Sequence, residues 1–276
     1  MDNSFLDPIK PFSLPKIWVW LSILVSVLVT ITSLFGILYE KTYSRDMDAW
    51  AIQAIGQDCA NLAVVIILLA STYYTAKQSL RGFLVWLGAY MYLIYAFAIY
   101  AFAVNFNFLF LAYVIILGLS FYTLVAGFLA VDTASLRKLL LANKRAGMVG
   151  GLLAIIGVMF TLLWLSEIIP NTLAGTLPKS LAETGLLTNP VYVLDLAILL
   201  PAMVITAILI RRKNVIGSLL GVPLLVFSVT MGLGIFILMV ISASRGLSYS
   251  LPAGIIVGLI ILLSAYFSLL YLKEIK

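Results

Sequence analysis

The sequence predicts an all-α membrane protein, a polytopic transmembrane bundle of eight helices that forms a single integral membrane domain over residues 1–276. The first observation is composition, because 63% of the residues are hydrophobic, only 10% are charged, and the mean hydropathy is +1.16. The second is that the apolar residues form eight stretches, each near the roughly 20 residues that cross about 30 Å of hydrocarbon. Together these observations exclude a water-soluble globule.

The order of the elements follows from the eight stretches. The predicted spans are 17–38, 55–75, 83–104, 108–130, 147–168, 190–210, 215–242 and 252–272. The connections between them, of which 169–189 is the longest, are too short to fold as separate soluble domains. The first span is longer than the apolar part of a signal peptide and no small-residue cleavage site follows it, so we expect no cleavable signal.

The basic residues predict the orientation of the bundle. Of the 17 lysines and arginines, all but Lys41, Arg45, Lys179 and Arg245 fall at one set of helix ends. The positive-inside rule places that set in the cytoplasm, so both termini are predicted to be cytoplasmic and the protein to lie in the cell (inner or plasma) membrane. The net charge of +6 therefore reports topology, and we expect a lipid bilayer as partner and no nucleic acid.

Several kinds of chemistry are excluded by the residues that are missing. There is no histidine, which argues against haem and zinc sites. The single cysteine, Cys59, cannot form an internal disulfide, so disulfide redox chemistry is not expected. No lysine lies in the middle of a span, and no nucleotide-binding motif is found. We therefore expect no cofactor.

The two halves of the sequence resemble each other, with possible repeat units at 17–130 and 147–272. The first and fifth spans end close to Glu40 and Glu167, and the second and sixth carry Asp58 and Asp195 near their outer ends. Two four-span units would be parallel, related by an axis along the membrane normal. The alternative is chance, because any eight-span protein has this gross symmetry.

Asp58 is the first candidate site residue. A carboxylate in the middle of a span costs about 2.5–3.5 kcal/mol to insert, so such residues usually face a bundle interior or a wet cavity. Asn61 lies on the same helical face, and Gln57 extends the polar edge. This pattern predicts a site for a cation, a proton or a polar ligand. The alternative is an interhelical hydrogen-bond clamp.

Asp195 is the second candidate. Asn189 is expected to cap the sixth span, with Pro190 as its first helical residue. Pro201 removes the backbone hydrogen bond to the carbonyl of Ala197, one turn below Asp195. An aspartate beside a loose carbonyl suits a hard cation. An ordinary proline kink is the alternative.

Other charged and aromatic residues are further candidates for the site. If the duplication is real, Glu40 and Glu167 join the aspartates in an outer acidic ring, with Arg245 as the counter-charge. The third span is rich in tyrosine, and the phenols of Tyr92 and Tyr95 lie near mid-depth, where they need partners. They either line a cavity or pack in the interior.

Three segments carry a resemblance to known proteins. Residues 57–62 (QDCANL), 163–170 (LWLSEIIP) and 188–196 (TNPVYVLDL) resemble an uncharacterised bacterial and archaeal family of multi-span integral membrane proteins. The resemblance implies a common membrane architecture for these segments. It implies no activity, substrate or cofactor.

Three functional hypotheses follow. The first is a transporter or channel for a small cation or polar solute, with Asp58 and Asp195 as its ligand site, Asn61 and the Ala197 carbonyl as neutral ligands, and Glu40 and Glu167 at the mouth. The second is a membrane enzyme that acts on a lipid-linked or outer-leaflet substrate with paired carboxylates. The third is a sensor or assembly subunit, in which both aspartates are satisfied by neighbouring helices without a cavity between them.

Overall fold

The computed structural model describes residues 12–244 and 251–275, and in them it confirms the predicted eight-helix architecture. Eight helical segments are long and apolar enough to cross a membrane. They are α1 (Lys16–Leu38), α2 (Asp48–Ala76), α3 (Leu80–Ala103), α4 (Phe110–Leu129), α6 (Ala146–Ala174), the combined α8 (Pro190–Leu194) and α9 (Leu200–Arg211), α10 (Val215–Ser244) and α11 (Leu251–Glu274). Within the described ranges the chain forms no β-sheet, only an isolated bridge between Phe12 and Val131.

Three shorter helices lie in the connections that the structure describes. A 3₁₀ turn (Glu40–Tyr43) follows α1, α5 (Thr133–Leu141) joins α4 to α6, and α7 (Lys179–Thr184) lies between α6 and α8. Residues 132–145 alternate apolar and basic side chains, and α5 forms within this segment. The side chain of Asp132 caps α5, and Leu136 and Leu140 form its buried face.

The helix ends form an acidic end and a basic end of the bundle. The acidic end holds Glu40, Asp46, Asp48, Glu167 and Glu183, and the basic end holds the ends of α2, α9 and α11 together with α5. Contacts join the connections at each end. The carboxylate of Asp46 accepts a 3.0 Å hydrogen bond from the Asn105 amide, and Arg145 forms a 3.2 Å ion pair with Glu274. Which end is cytoplasmic stays a prediction.

The core of the bundle is the contact between α3 and α10. Most of α3 is buried, including Trp86, Tyr90 and Tyr92. The two helices approach closely at Gly88, where a Cβ atom would lie 2.6 Å from the carbonyl oxygen of Pro223. Glycine at this position therefore sets the distance between the two halves of the chain.

The two halves share four pairs of helix neighbours. In the first, α1 packs on α2, α2 on α3, α3 on α4, and α1 on α4. In the second, α6 packs on α9, α9 on α10, α10 on α11, and α6 on α11, and α6 also contacts α10, a contact that has no comparable counterpart in the first half. A parallel repeat requires this pattern, although an unrelated pair of four-helix units can also adopt it. The duplication stays a prediction.

The α8–α9 span is interrupted where proline predicts a disturbance. The Asn189 side chain accepts a 2.9 Å hydrogen bond from the Val191 amide, so Asn189 is the predicted N-cap and Pro190 the first helical residue. Residues Asp195–Leu199 then form a π-helical turn, in which the Leu200 amide donates to the Asp195 carbonyl. This bulge absorbs the loss of the amide at Pro201 without ending the span.

Candidate functional site

Asp195 lies at the start of the π-helical turn and is held by two long side chains from other helices. Its carboxylate accepts a 2.9 Å hydrogen bond from the hydroxyl of Tyr95 on α3 and a 2.7 Å hydrogen bond from the indole N–H of Trp164 on α6. The side chain is buried. Since neither donor is charged, the contacts orient the carboxylate but do not neutralise it.

A cavity of about 450 Å³ borders Asp195. It lies between the two halves of the chain, because α2 and α3 form one wall and helices α6 to α11 form the others. Its size falls within the range of small-molecule sites. Large apolar and aromatic side chains line most of the cavity. They include Trp50, Tyr95, Phe160, Trp164, Tyr192, Met203, Phe227, Met231 and Leu238.

The charged side chains on the cavity wall are all acidic in the part of the chain that the structure describes. They are Asp195, Glu167 and Glu183. Glu183 forms an exposed 3.5 Å ion pair with Lys179 of the same short helix, so its charge is already compensated. Glu167 accepts hydrogen bonds from the Tyr192 hydroxyl at 2.6 Å and the Ser180 amide at 3.3 Å. Asp195 and Glu167 therefore give the cavity a negative potential.

Asp58 occupies a different environment and does not border the cavity. Its two carboxylate oxygens accept hydrogen bonds from the hydroxyls of Tyr43, at 2.6 Å, and Tyr100, at 2.8 Å. Tyr43 comes from the 3₁₀ turn and closes over Asp58 at the acidic end. Burial, and next the charge of Asp58, raises the pKa of Tyr43, so its phenol stays protonated and donates.

Asn61 continues this network away from the cavity. Its amide donates to the hydroxyl of Ser33 on α1 at 3.2 Å, and its oxygen accepts from the hydroxyl of Tyr92 at 2.8 Å. Gln57 contacts the same Tyr92 hydroxyl and lies on the cavity wall. The Asp58 network and the cavity therefore share a boundary made of Gln57 and Tyr100.

The predicted site residues are thus divided among several places. Asp195 and Glu167 line the cavity, and Asp58 and Asn61 form a buried network beside it. Glu40 is exposed at the acidic end, and Ala197 is exposed on the outside of its helix, so neither reaches the cavity wall. The structure does not bring the six residues together in one site, and their ligand roles stay predictions. Arg245 lies outside the described residues.

The donors to the carboxylates were the part of the site that sequence reasoning largely missed. Tyr95 was identified as a mid-depth phenol in need of a partner, and it both lines the cavity and binds Asp195. Tyr43, Tyr100 and Trp164 were not assigned to either aspartate. Their signal is weak, since an aromatic residue near the end of a span is equally typical of an interfacial anchor.

Within the two described ranges, no three histidine, cysteine, aspartate or glutamate side chains come close enough to hold a metal ion together. Comparison with protein-family models, with curated proteins and with solved structures finds no match to this chain. The fold by itself defines the class of the protein as an integral membrane protein with eight helices long and apolar enough to span a membrane. The resemblance to a family of multi-span proteins stays a prediction.

Proposed function

We propose that the protein is a membrane transporter whose cavity binds an organic cation with an apolar or aromatic body. The observation that carries the proposal is a cavity of ligand size whose uncompensated charges are the buried Asp195 carboxylate and the more exposed Glu167 carboxylate. An organic cation is a narrower class of ligand than the small cation or polar solute that the sequence predicts. A hydrated metal cation fits less well, because most of the wall is apolar and could not replace its hydration shell.

The walls of the cavity supply the two kinds of contact that such a ligand needs. Apolar surface from α10 and α11 suits the body of the ligand, and the faces of Trp50 and Phe227 suit a delocalised positive charge. Asp195 provides the counter-charge at a fixed position, because Tyr95 and Trp164 already orient its carboxylate. Preorganisation of this kind raises affinity by lowering the cost of ordering the site.

The location of the cavity favours transport over the other two hypotheses. It lies between the two halves of the chain, beside a span with a π-helical turn; many transporters hold their substrate between two such halves, and π-helical turns are frequent at functional sites. A subunit without a ligand predicts no cavity at the aspartates. The enzyme hypothesis needs two carboxylates on one substrate, and with Asp58 outside the cavity only Asp195 and Glu167 remain for that role.

A binding experiment tests recognition of the charge. The full chain in nanodiscs is titrated with 1-methyl-4-phenylpyridinium and with 4-phenylpyridine, which has a similar aromatic body without the permanent charge. We expect Asp195→Asn to weaken binding of the cation by at least about tenfold, equal to about 1.4 kcal/mol, and to leave the neutral compound unaffected. Glu40→Gln is the matched control, because Glu40 is an exposed carboxylate of the acidic end that does not line the cavity.

A flux experiment tests transport separately. Proteoliposomes are loaded with radiolabelled 1-methyl-4-phenylpyridinium, and its loss is compared for the wild type and Asp195→Asn. Faster loss with the wild type supports transport. Binding without flux would leave a ligand-binding sensor, and equal affinity of wild type and Asp195→Asn for the cation would refute the charge-recognition step.

A further inference from the structure

Asp58 is a buried carboxyl group without a basic partner in the described structure. The ion pairs found there, Arg145–Glu274 and Lys179–Glu183, lie elsewhere. The titratable groups that face Asp58 in the described residues are phenols and a thiol. The phenols belong to Tyr43 of the 3₁₀ turn, Tyr92 and Tyr100 of α3, and Tyr113 of α4, and the thiol belongs to Cys59 of its own helix. On the side of α1, Gly36 and Ser33 approach this network, α1 itself has no acidic or basic residue beyond Lys16 at its far end, and α10 carries no titratable residue.

Such an environment does not hold a permanent negative charge at low cost. A buried charge is usually paired with an opposite charge, and where no partner is present the group tends to become neutral by binding a proton. Two phenol donors lower the cost of the anion but do not remove the charge. The surroundings of Asp58 must therefore be able to accept the neutral acid as well.

The hydrogen bonds around Asp58 satisfy both protonation states with the same heavy-atom positions. In the anionic form, Tyr100 donates to the carboxylate at 2.8 Å. The Tyr100 hydroxyl also lies 3.2 Å from the carbonyl oxygen of Ala54. When Asp58 is protonated, it donates to Tyr100, and Tyr100 rotates its hydroxyl hydrogen to the Ala54 carbonyl. No buried hydrogen bond is lost in the exchange.

The same two groups connect Asp58 to the cavity. Tyr100 and Ala54 line the cavity wall, whereas Asp58 does not. This arrangement allows a proton to pass in two balanced transfers: Tyr100 gives its hydroxyl proton to a carboxylate oxygen of Asp58 and takes one from a hydronium ion in the cavity, which is left as water. Tyr100 is neutral before and after, and one positive charge has moved from the cavity to Asp58.

We propose that Asp58 is a proton-binding site that exchanges its proton with the cavity through the Tyr100 hydroxyl. The site goes beyond ligand recognition at Asp195, and it does not depend on which solute the cavity binds. The sequence leaves a cation, a proton or a polar ligand open for Asp58, and this proposal selects the proton.

Infrared difference spectroscopy of the full chain tests this site without any ligand. The protein is titrated with acid in dodecyl maltoside, a detergent without carbonyl groups, and the carbonyl-stretch band of protonated carboxyl groups is recorded. We expect the wild-type spectrum minus the Asp58→Asn spectrum to contain one band that appears on acidification. Asparagine keeps the shape of the side chain and can donate to Tyr100, so the variant is expected to fold.

Two further variants test the path. Tyr100→Phe removes the acceptor of the protonated acid, so the band is expected to shift and its appearance after a pH jump to slow. Tyr113→Phe is the matched control, since Tyr113 stacks on Tyr100 and, in the described part of the chain, its hydroxyl forms no hydrogen bond with Asp58 or Tyr100. Identical titrating bands in wild type and Asp58→Asn overturn the proton site, and equal effects of Tyr100→Phe and Tyr113→Phe overturn the path.

Discussion

The sharpest structural prediction concerns Gly36, which lies on α1 directly against the Asp58 network. A Cβ atom at Gly36 would lie 1.8 Å from Oδ2 of Asp58 and 2.7 Å from the hydroxyl oxygen of Tyr43. Both distances are far below van der Waals contact. The Gly36→Ala substitution therefore cannot be accommodated unless the Asp58 carboxylate or the Tyr43 phenol moves, and with it the 2.6 Å hydrogen bond that joins them.

The magnitude follows from three contributions. Loss of the buried hydrogen bond costs about 1–3 kcal/mol, because a polar group is left unsatisfied. Crowding of the packed interior costs about 1–3 kcal/mol more. Alanine gains about 1 kcal/mol over glycine in helix propensity. The free energy of unfolding is therefore expected to fall by about 1–5 kcal/mol in Gly36→Ala.

Titration with SDS in mixed micelles measures this free energy, with loss of helix signal as the readout. Gly118→Ala is the control, because Gly118 is inside α4 and a Cβ atom there would meet nothing within 4 Å. Its stability should be unchanged or slightly raised. Combining Gly36→Ala with Tyr43→Phe should cost less than the sum of the two single changes, since both remove the same hydrogen bond. If Gly36→Ala is as stable as Gly118→Ala, the described packing around Asp58 is wrong.

Two further predictions concern the connections. Gly175 and Gly185 both have positive φ angles, so alanine at either should lower the free energy of unfolding by about 1–2 kcal/mol through backbone strain. A Cβ atom at Gly185 would also lie 2.5 Å from the sulfur of Met47, but this side chain is exposed and can move aside, so Gly185→Ala and Gly175→Ala should unfold at similar SDS concentrations. At α5, the hydrogen bond from the Ser135 hydroxyl holds the pKa of Asp132 below its usual range. The cap is therefore complete above the unfolded-state pKa and lost as the pH falls through the lower folded-state pKa, so hydrogen-exchange protection of α5 should begin to drop near about pH 4 and continue to drop below it. Asp132→Asn, which caps without titrating, should show no such drop.

Much of the fold could be predicted because it depends on local chemistry. The number of spans follows from the length of apolar runs, and α8 begins where Asn189 and Pro190 predict. The boundaries differ mainly where helices extend past the apolar run, as in α2, which begins at Asp48, and α6, which continues through Pro170 to Ala174. Helices of this kind extend into the polar interface, so hydropathy alone underestimates their length.

The division of the two aspartates could not be predicted in the same way. Hydropathy and helical spacing show that Asp58 and Asp195 face the interior, but not which residues of the other helices reach them. Tyr95 and Tyr100 are five residues apart on α3, so their side chains lie about 140° apart around the helix axis. They donate hydrogen bonds to different aspartates. α3 thus lies between the two carboxyl groups. That placement depends on the packing of α3 against α10, which no local pattern specifies.

The different surroundings of the two aspartates explain how one architecture can hold two kinds of site. Each carboxyl group receives two hydrogen bonds from aromatic donors, and neither forms an ion pair in the residues described. They differ in the connection that follows the preceding span. After α1, the short 3₁₀ turn places Tyr43 over Asp58, whereas after α6 the longer connection folds as α7, which forms part of the cavity wall and is bonded to Glu167 instead of to Asp195. The first carboxyl group is therefore covered and suited to a proton, and the second is open to a cavity and suited to a larger cation.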